Sequence, residues 1–136
     1  MPHRIPRTVK SERVRLALLQ ARPGGLTLQQ LCAATGLTAS QIRDGLREIK
    51  EHAAMEHMTP FAWSRKNGYA FSEEPSDWIA YERAQAHTAL TRFVRLITGT
   101  VYPHQQLLPH DDYARLLLDQ LVGVRASLES ITRLAS

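Results

Sequence analysis

Three sets of side chains in this 136-residue chain have types that could do chemistry. His104, His110, Asp111 and Asp112 lie in one short stretch, with His87 upstream. Imidazole and carboxylate are zinc ligands, but this spacing matches no compact zinc pattern, so no metal site is expected. Cys32 is the sole thiol, which excludes an internal disulfide and a multi-cysteine metal site. Its place on the inward side of a short helix suits packing rather than redox sensing. The third set is a run of cations and short polar groups: Thr38, Ser40, Arg43, Asp44, Arg47 and Lys50. Guanidinium and short polar groups read base edges in a DNA groove, and ammonium holds phosphate. No glycine-rich phosphate loop, nucleophile elbow or paired-carboxylate site appears, so neither an enzyme nor a bound cofactor is expected. Trp63, Trp78, Tyr69 and Tyr81 could line an effector pocket, but such aromatics more often belong to a core, and no effector is indicated.

The charge distribution favours the third set. Residues 1–72 hold 11 Lys and Arg against 5 Asp and Glu, whereas residues 73–136 hold 6 against 8, for a net of +4. A basic half is the footprint expected of a polyanion binder. Arginine outnumbers lysine 14 to 3, but it is spread over both halves and reads as coding bias. An apolar fraction of 43% with 22% charged residues is globular composition and excludes disorder. No apolar run reaches the roughly 20 residues that span a bilayer, and the basic opening MPHRIPRTVK lacks the apolar stretch of a signal peptide. A soluble, cytoplasmic protein without membrane contact is the expectation.

The elements that must position the cations follow from local signals. Residues 1–10 read as a basic arm interrupted by Pro2 and Pro6, with Arg4 and Arg7 available to DNA. Ser11 is suited to cap a first helix over Glu12–Ala21, with Val14, Ala17, Leu18 and Ala21 on one face. Pro23-Gly24-Gly25 ends it. Thr27 and Gln30 form a capping box, and Thr38 and Gln41 form another 11 residues later. Leu26 with Leu31, and Leu37 with Ile42, are hydrophobic staples. Gly36 between the boxes suits a left-handed turn. Two helices started independently and joined by a short turn make a helix-turn-helix. Its second helix runs from about Ala39 to His52 or a little beyond. Ile42, Leu46, Ile49 and Ala53 form its apolar stripe with Gly45 at the edge, and the cations lie opposite.

Two aromatic runs follow, Pro60–Ser64 and Tyr69–Ser72, around Arg65-Lys66-Asn67-Gly68. Asn-Gly between strands signals a hairpin. A loop of Lys66-Asn67-Gly68 with Gly68 left-handed sets Trp63 opposite Phe71 and all four aromatics on one face, buried against the helices. Arg65 or Lys66 then points outward from the tip.

The segment GLTLQQLCAATGLTASQIRDGLREIKEH, with this hairpin, resembles the winged helix-turn-helix of bacterial transcription regulators. It is similar in local pattern to the IclR-type N-terminal domain. A winged helix followed by C-terminal helices is similar to the layout of PadR-type regulators. The chain departs from those families in reading Glu51-His-Ala-Ala-Met55 where a glycine often ends the recognition helix.

Glu73-Glu74-Pro75-Ser76 reads as a boundary. A helix from Ser76 or Asp77 to about Thr98 follows, with Ile79, Ala86, Leu90, Phe93 and Ile97 along one side, closed by Gly99. Residues 99–111, with Pro103 and Pro109, read as a loop. Asp111 or Asp112 starts a last helix whose Leu117, Leu121, Val124, Leu128, Ile131 and Ala135 step by four and three, a short heptad seam expected to hold a homodimer. The fold expected is mainly α with a small β-hairpin wing: an arm over 1–10, a winged helix-turn-helix over 11–74 and helical dimerisation region over 75–136. The function expected is sequence-specific binding of double-stranded DNA by a dimeric regulator, a repressor. Thr38, Ser40, Arg43, Asp44 and Arg47 face bases, and Lys50, Arg65, Lys66, Arg4 and Arg7 face phosphate or the minor groove. The rivals are a protein of plasmid or phage replication, partition or excision, and a winged helix used as a protein-interaction module.

Overall fold

Pro6 decides where the first helix begins. Its fixed φ of −58° and extended ψ of 147° place it at the N-cap, and its carbonyl accepts from the Val9 and Lys10 amides at 3.1 Å. Helix α1 therefore spans Arg7–Ala21, not Glu12–Ala21. Ser11 is buried within it rather than capping it, and Arg7 and Lys10 belong to a helix, not an arm. The structure, a computed structural model, describes residues 4–134, so the expectation for residues 1–3, Pro2 included, lies outside the described residues.

Both capping boxes form. The Gln30 amide donates to Thr27 Oγ1 at 3.2 Å while the Thr27 amide donates to Gln30 Oε1 at 2.8 Å, opening α2, Leu28–Thr35. Thr38 and Gln41 repeat the exchange at 3.2 and 2.9 Å, opening α3, Ala39–Glu48. Gly36 sits between them with φ of 74°. Beyond α3 the helical path widens into one π-helical turn, Ile49–Ala53, and ends in α4, Ala54–Glu56. Val14 and Leu18 of α1, Leu31 of α2, and Ile42, Leu46, Ile49 and Ala53 along α3 and the π turn build one core with Leu37 and Phe71. Glycine at position 45 lets α1 and α3 meet closely: a Cβ there would stand 3.0 Å from the Lys10 carbonyl oxygen and 3.1 Å from Val14 Cγ2.

The hairpin comprises β1, Ala62–Ser64, and β2, Gly68–Ala70, paired antiparallel as Ala62 with Ala70, Trp63 with Tyr69 and Ser64 with Gly68. The loop is thus Arg65-Lys66-Asn67, and Trp63 faces Tyr69 rather than Phe71. Gly68 is left-handed as expected, with φ of 74°. One long-range and one local feature accompany this register. Leu26 exchanges backbone hydrogen bonds with Tyr69 at 2.8 and 2.9 Å, an isolated antiparallel bridge beside β2. Ser64 Oγ accepts from the Asn67 amide at 3.0 Å and closes the turn. The expected aromatic burial is corrected as well. Ala62, Gly68 and Ala70 are the buried strand residues, Phe71 beyond the strand is buried, and Trp63 is 48% exposed.

The chain divides into two compact units between Tyr81 and Glu82, inside helix α5, Pro75–Leu96, rather than at 74/75. The first turns of α5 are tied to the hairpin's exit. Ser72 Oγ donates to Asp77 at 2.6 Å, Trp78 Nε1 donates to the Ser72 carbonyl at 2.7 Å, and Tyr81 meets Phe61 edge-on at 6.1 Å.

In the second unit the expected loop over 99–111 is mostly helical. Gly99 does not close a helix; it lies in a second π turn, Ile97–Val101, which leads into α6, Tyr102–Leu107. Ile97 and Val101 are buried, and Pro103 follows closely on the π turn, within a helical path that continues from α5. Asp111 Oδ1 accepts from the Tyr113 and Ala114 amides at 2.9 and 3.3 Å and caps α7, Asp112–Leu134. Helix α7 packs on α6 and the π turn.

The glycines yield a stability test. A Cβ at Gly25 would lie 2.4 Å from the carbonyl oxygens of Asn67 and Tyr69, whereas Gly36 has open space around it. Gly36→Ala should lose only the left-handed preference, about 1 kcal/mol. Gly25→Ala must push the backbone of the hairpin away and should destabilise by about 1–3 kcal/mol or more. Urea denaturation of both variants checks the order, and an unaffected Gly25→Ala would refute the tight crossing.

Candidate nucleic-acid interface

Because Ile42, Leu46 and Ile49 are drawn into the core, the helical period turns positions 40, 43, 47 and 50 outward. Ser40, Arg43, Arg47 and Lys50 are all exposed, and Thr38 is exposed at the cap, its hydroxyl accepting from the Gln41 amide. No ion pair or hydrogen bond within the described residues holds Arg43 or Arg47. Their guanidinium donors stay available to an outside acceptor. Lys50 reaches the other way, with Nζ 5.7 Å from the centroid of Phe61, a cation–π contact that joins this helical face to the hairpin. Arg65 and Lys66 are exposed in the hairpin loop, again without an ion pair.

Asp44 differs from its polar neighbours on α3 in having a partner inside the protein. Its carboxylate accepts from Lys10 Nζ at 2.9 Å, and Lys10 is only 8% exposed. A buried ammonium needs a counter-charge, so this pairing commits Asp44 to α1. The Lys10 hydrogen bond, then its charge, hold the Asp44 carboxyl below its usual 3.8, with Arg47 and Arg7 adding smaller pulls in the same direction. Arg7 stands 4.0 Å from Glu51, a loose exposed pair, and with Arg4, Ile5, Pro6, Lys10 and Asp44 it lines a polar groove beside α3. Arg4 and Arg7 therefore sit at the flank of the α3 face and not on a free strand of chain.

Lys10, which pairs with Asp44, continues the Val14 and Leu18 stripe at a spacing of four, a local signal that holds only because α1 begins at Arg7. Arg22 carries no local signal: its Nε donates to the Phe71 carbonyl at 2.8 Å and its Nη1 lies 3.2 Å from Glu73, clasping the end of α1 to the hairpin's exit.

The aromatic set considered for an effector does not converge on a pocket. Trp63 is exposed, Trp78 is bonded to Ser72, and Phe61 forms the centre of a cluster with Tyr69 at 6.0 Å, Phe71 at 6.4 Å and Tyr81 at 6.1 Å. Burial pushes the Tyr81 hydroxyl above its usual 10.0. His104 Nε2 lies 3.5 Å from Asp111 Oδ2, and that carboxylate already caps α7. Among the described residues, the three side chains able to share an ion are instead Glu48, Glu51 and His52, with ligand atoms within 4.8 Å of one another. Their spacing of three and four along a helix is the sequence signal for that grouping. No family model, no curated protein and no solved structure matches the chain.

The ion pair has a pH signature. A carboxyl whose folded pKa is lowered contributes stability that is full above its unfolded value and is lost as pH falls through the folded one. Asp44→Asn should lower the urea midpoint at pH 7, by leaving Lys10 buried without its counter-charge. The difference from the parent protein should shrink as pH drops below about 4. Equal midpoints at neutral pH would show that the pair contributes nothing.

Proposed function

We propose that this chain is a winged helix-turn-helix protein that binds double-stranded DNA sequence-specifically as a homodimer, acting as a small transcription repressor in the cytoplasm. The observation that carries the reading is the α3 face. Two capping boxes and a left-handed Gly36 start α3 independently of α2, the core takes its apolar stripe, and Ser40, Arg43 and Arg47 are left outward with free donors. A helix so held fits the major groove, where arginine pairs with guanine O6 and N7. The hairpin with exposed Arg65 and Lys66 is the wing, offering point charges to phosphate or the minor groove. Arg4, Arg7 and Lys50 add phosphate contacts, and Thr38 lies at the leading end of the helix. Asp44 acts on α1 rather than on bases. The repressor role follows from the resemblance to small bacterial regulators.

The dimer rests on the second unit. Leu117, Leu121 and Leu128 are half-buried, and Val124 and Ile131 are exposed along α7, with Leu107 and Leu116 exposed nearby in sequence. Ala135, the last seam position, lies outside the described residues. Apolar surface of this extent on a periodic seam suits a second copy of the same helix. Among the described residues no helix is long and apolar enough to cross a membrane.

Binding to duplexes selected from a random pool, compared with scrambled duplex over a salt series, tests the DNA reading. Arg47→Ala should weaken the selected site by about 1–3 kcal/mol and scrambled DNA less. Lys66→Ala should weaken both alike and lower the salt slope by about one contact. If neither substitution changes any binding, the basic half serves another partner.

A Leu121→Glu, Leu128→Glu double variant buries unpaired charge in the seam and should sediment as a monomer or lose helix content. The single-site DNA affinity of that variant should fall strongly, because two linked half-sites act through effective concentration. A parent protein that sediments as a monomer at tens of micromolar would refute the dimer.

A further inference from the structure

The wing places its residues against the order that burial alone would choose. In β1 the small Ala62 is 5% exposed, while its neighbour Trp63, the largest side chain available, is 48% exposed. The register sets Trp63 directly across from Tyr69, whose ring stacks on Phe61 at 6.0 Å and 25°. Lys50 from the π turn lies over that same Phe61 ring. Phe61 and Tyr69 are half-buried against the core, so Trp63 is the exposed ring of the hairpin, and Lys50 over Phe61 joins the hairpin to α3. Arg65 and Lys66 follow Trp63 closely in the loop, exposed and without an ion pair among the described residues. An exposed ring beside unpaired cations can pack on deoxyribose while the cations hold phosphate.

We infer that Trp63 is itself a DNA-contacting residue, packing its exposed indole on the deoxyribose or base edges of the minor groove while Arg65 and Lys66 hold the flanking phosphates. This rests on the duplex-binding reading above and extends it, since that reading assigns the wing charges alone. The occupant is fixed by charge: Lys50, Arg65 and Lys66 about the hairpin call for a polyanion. An apolar contact and an ionic one differ in their response to salt. Loss of the indole lowers affinity at every salt concentration equally, whereas loss of a cation lowers the slope.

The test uses the full chain labelled with 5-fluorotryptophan, which yields two fluorine resonances, assigned through Trp63→Phe. A random-sequence duplex of about two helical turns is added at low salt, with binding followed in parallel by fluorescence anisotropy of the labelled DNA. The Trp63 resonance should shift in step with binding while that of Trp78, bonded to Ser72, stays in place. Trp63→Ala should bind about ten- to a hundredfold more weakly with an unchanged salt slope and an unchanged circular dichroism spectrum, and Trp63→Tyr should recover most of the affinity. Binding without movement of the Trp63 resonance, or an unaffected Trp63→Ala, would overturn the inference and leave the DNA reading intact. No binding of any duplex by the parent protein would overturn both. A Trp63 resonance that moves with protein concentration and not with DNA would place the wing in a protein interface, and would equally overturn it.

Discussion

The seat of α3 on α1 is the constraint on which the rest of the first unit depends. Two features define it. Glycine at 45 removes the side chain that would otherwise collide with the Lys10 carbonyl and Val14, so the helices close to backbone contact. One residue earlier, Asp44 accepts from the buried Lys10 ammonium. Burial of Ile42, Leu46 and Ile49 sets which face of α3 turns inward, and the Lys10–Asp44 hydrogen bond adds a directional contact at the edge of that face. Arg43 and Arg47 are outward because this stripe is inward.

A second constraint holds the hairpin to this core. Leu26, just ahead of the first capping box, shares its backbone hydrogen bonds with Tyr69. The chain crossing is so close that a Cβ on either Gly25 or Gly68 would meet carbonyl oxygen. Arg22 reaches across to the Phe71 carbonyl and to Glu73 on the far side. The segment between α1 and α2 therefore anchors the hairpin as well as ending a helix. A two-stranded hairpin alone is marginal in water, and this bridge with the aromatic cluster around Phe61 supplies what it lacks.

The second unit is organised differently. Its buried residues, Ile97, Val101 and Ala114, gather where the π turn meets α7, and much of the remaining apolar surface of α6 and α7 faces outward. The first unit has a core in which Val14, Leu18, Leu31, Ile42 and Ile49 are wholly buried. That contrast agrees with the charge division, in which the cations concentrate in the half that has the self-sufficient core.

Local interactions were legible in the sequence. Both capping boxes, the left-handed Gly36 and Gly68, the apolar stripe from Ile42 to Ala53 and the outward cations are consequences of side chains three or four residues apart, and spacing alone declares them. The hairpin was legible too, but not its register. Parity in a strand says which residues share a face, not which face is buried or which pairs meet. Leu26 bridges to Tyr69 from more than 40 positions away, and the small Ala62 and Ala70 went inward with Trp63 left outside. The start of α1 is not legible locally, because a proline that breaks a helix interior is harmless just ahead of the first turn. Asp44 carries the same local signal as its polar neighbours, and its pairing with Lys10, 34 residues away, is a tertiary contact. Residue type and spacing thus determined α2 and α3, with their starts at Thr27 and Thr38, and the polar face of α3. Only the tertiary structure decided which polar groups on and around that face are spent inside the protein and which remain free, because counter-charges and close crossings are made between residues that the chain brings together from far apart.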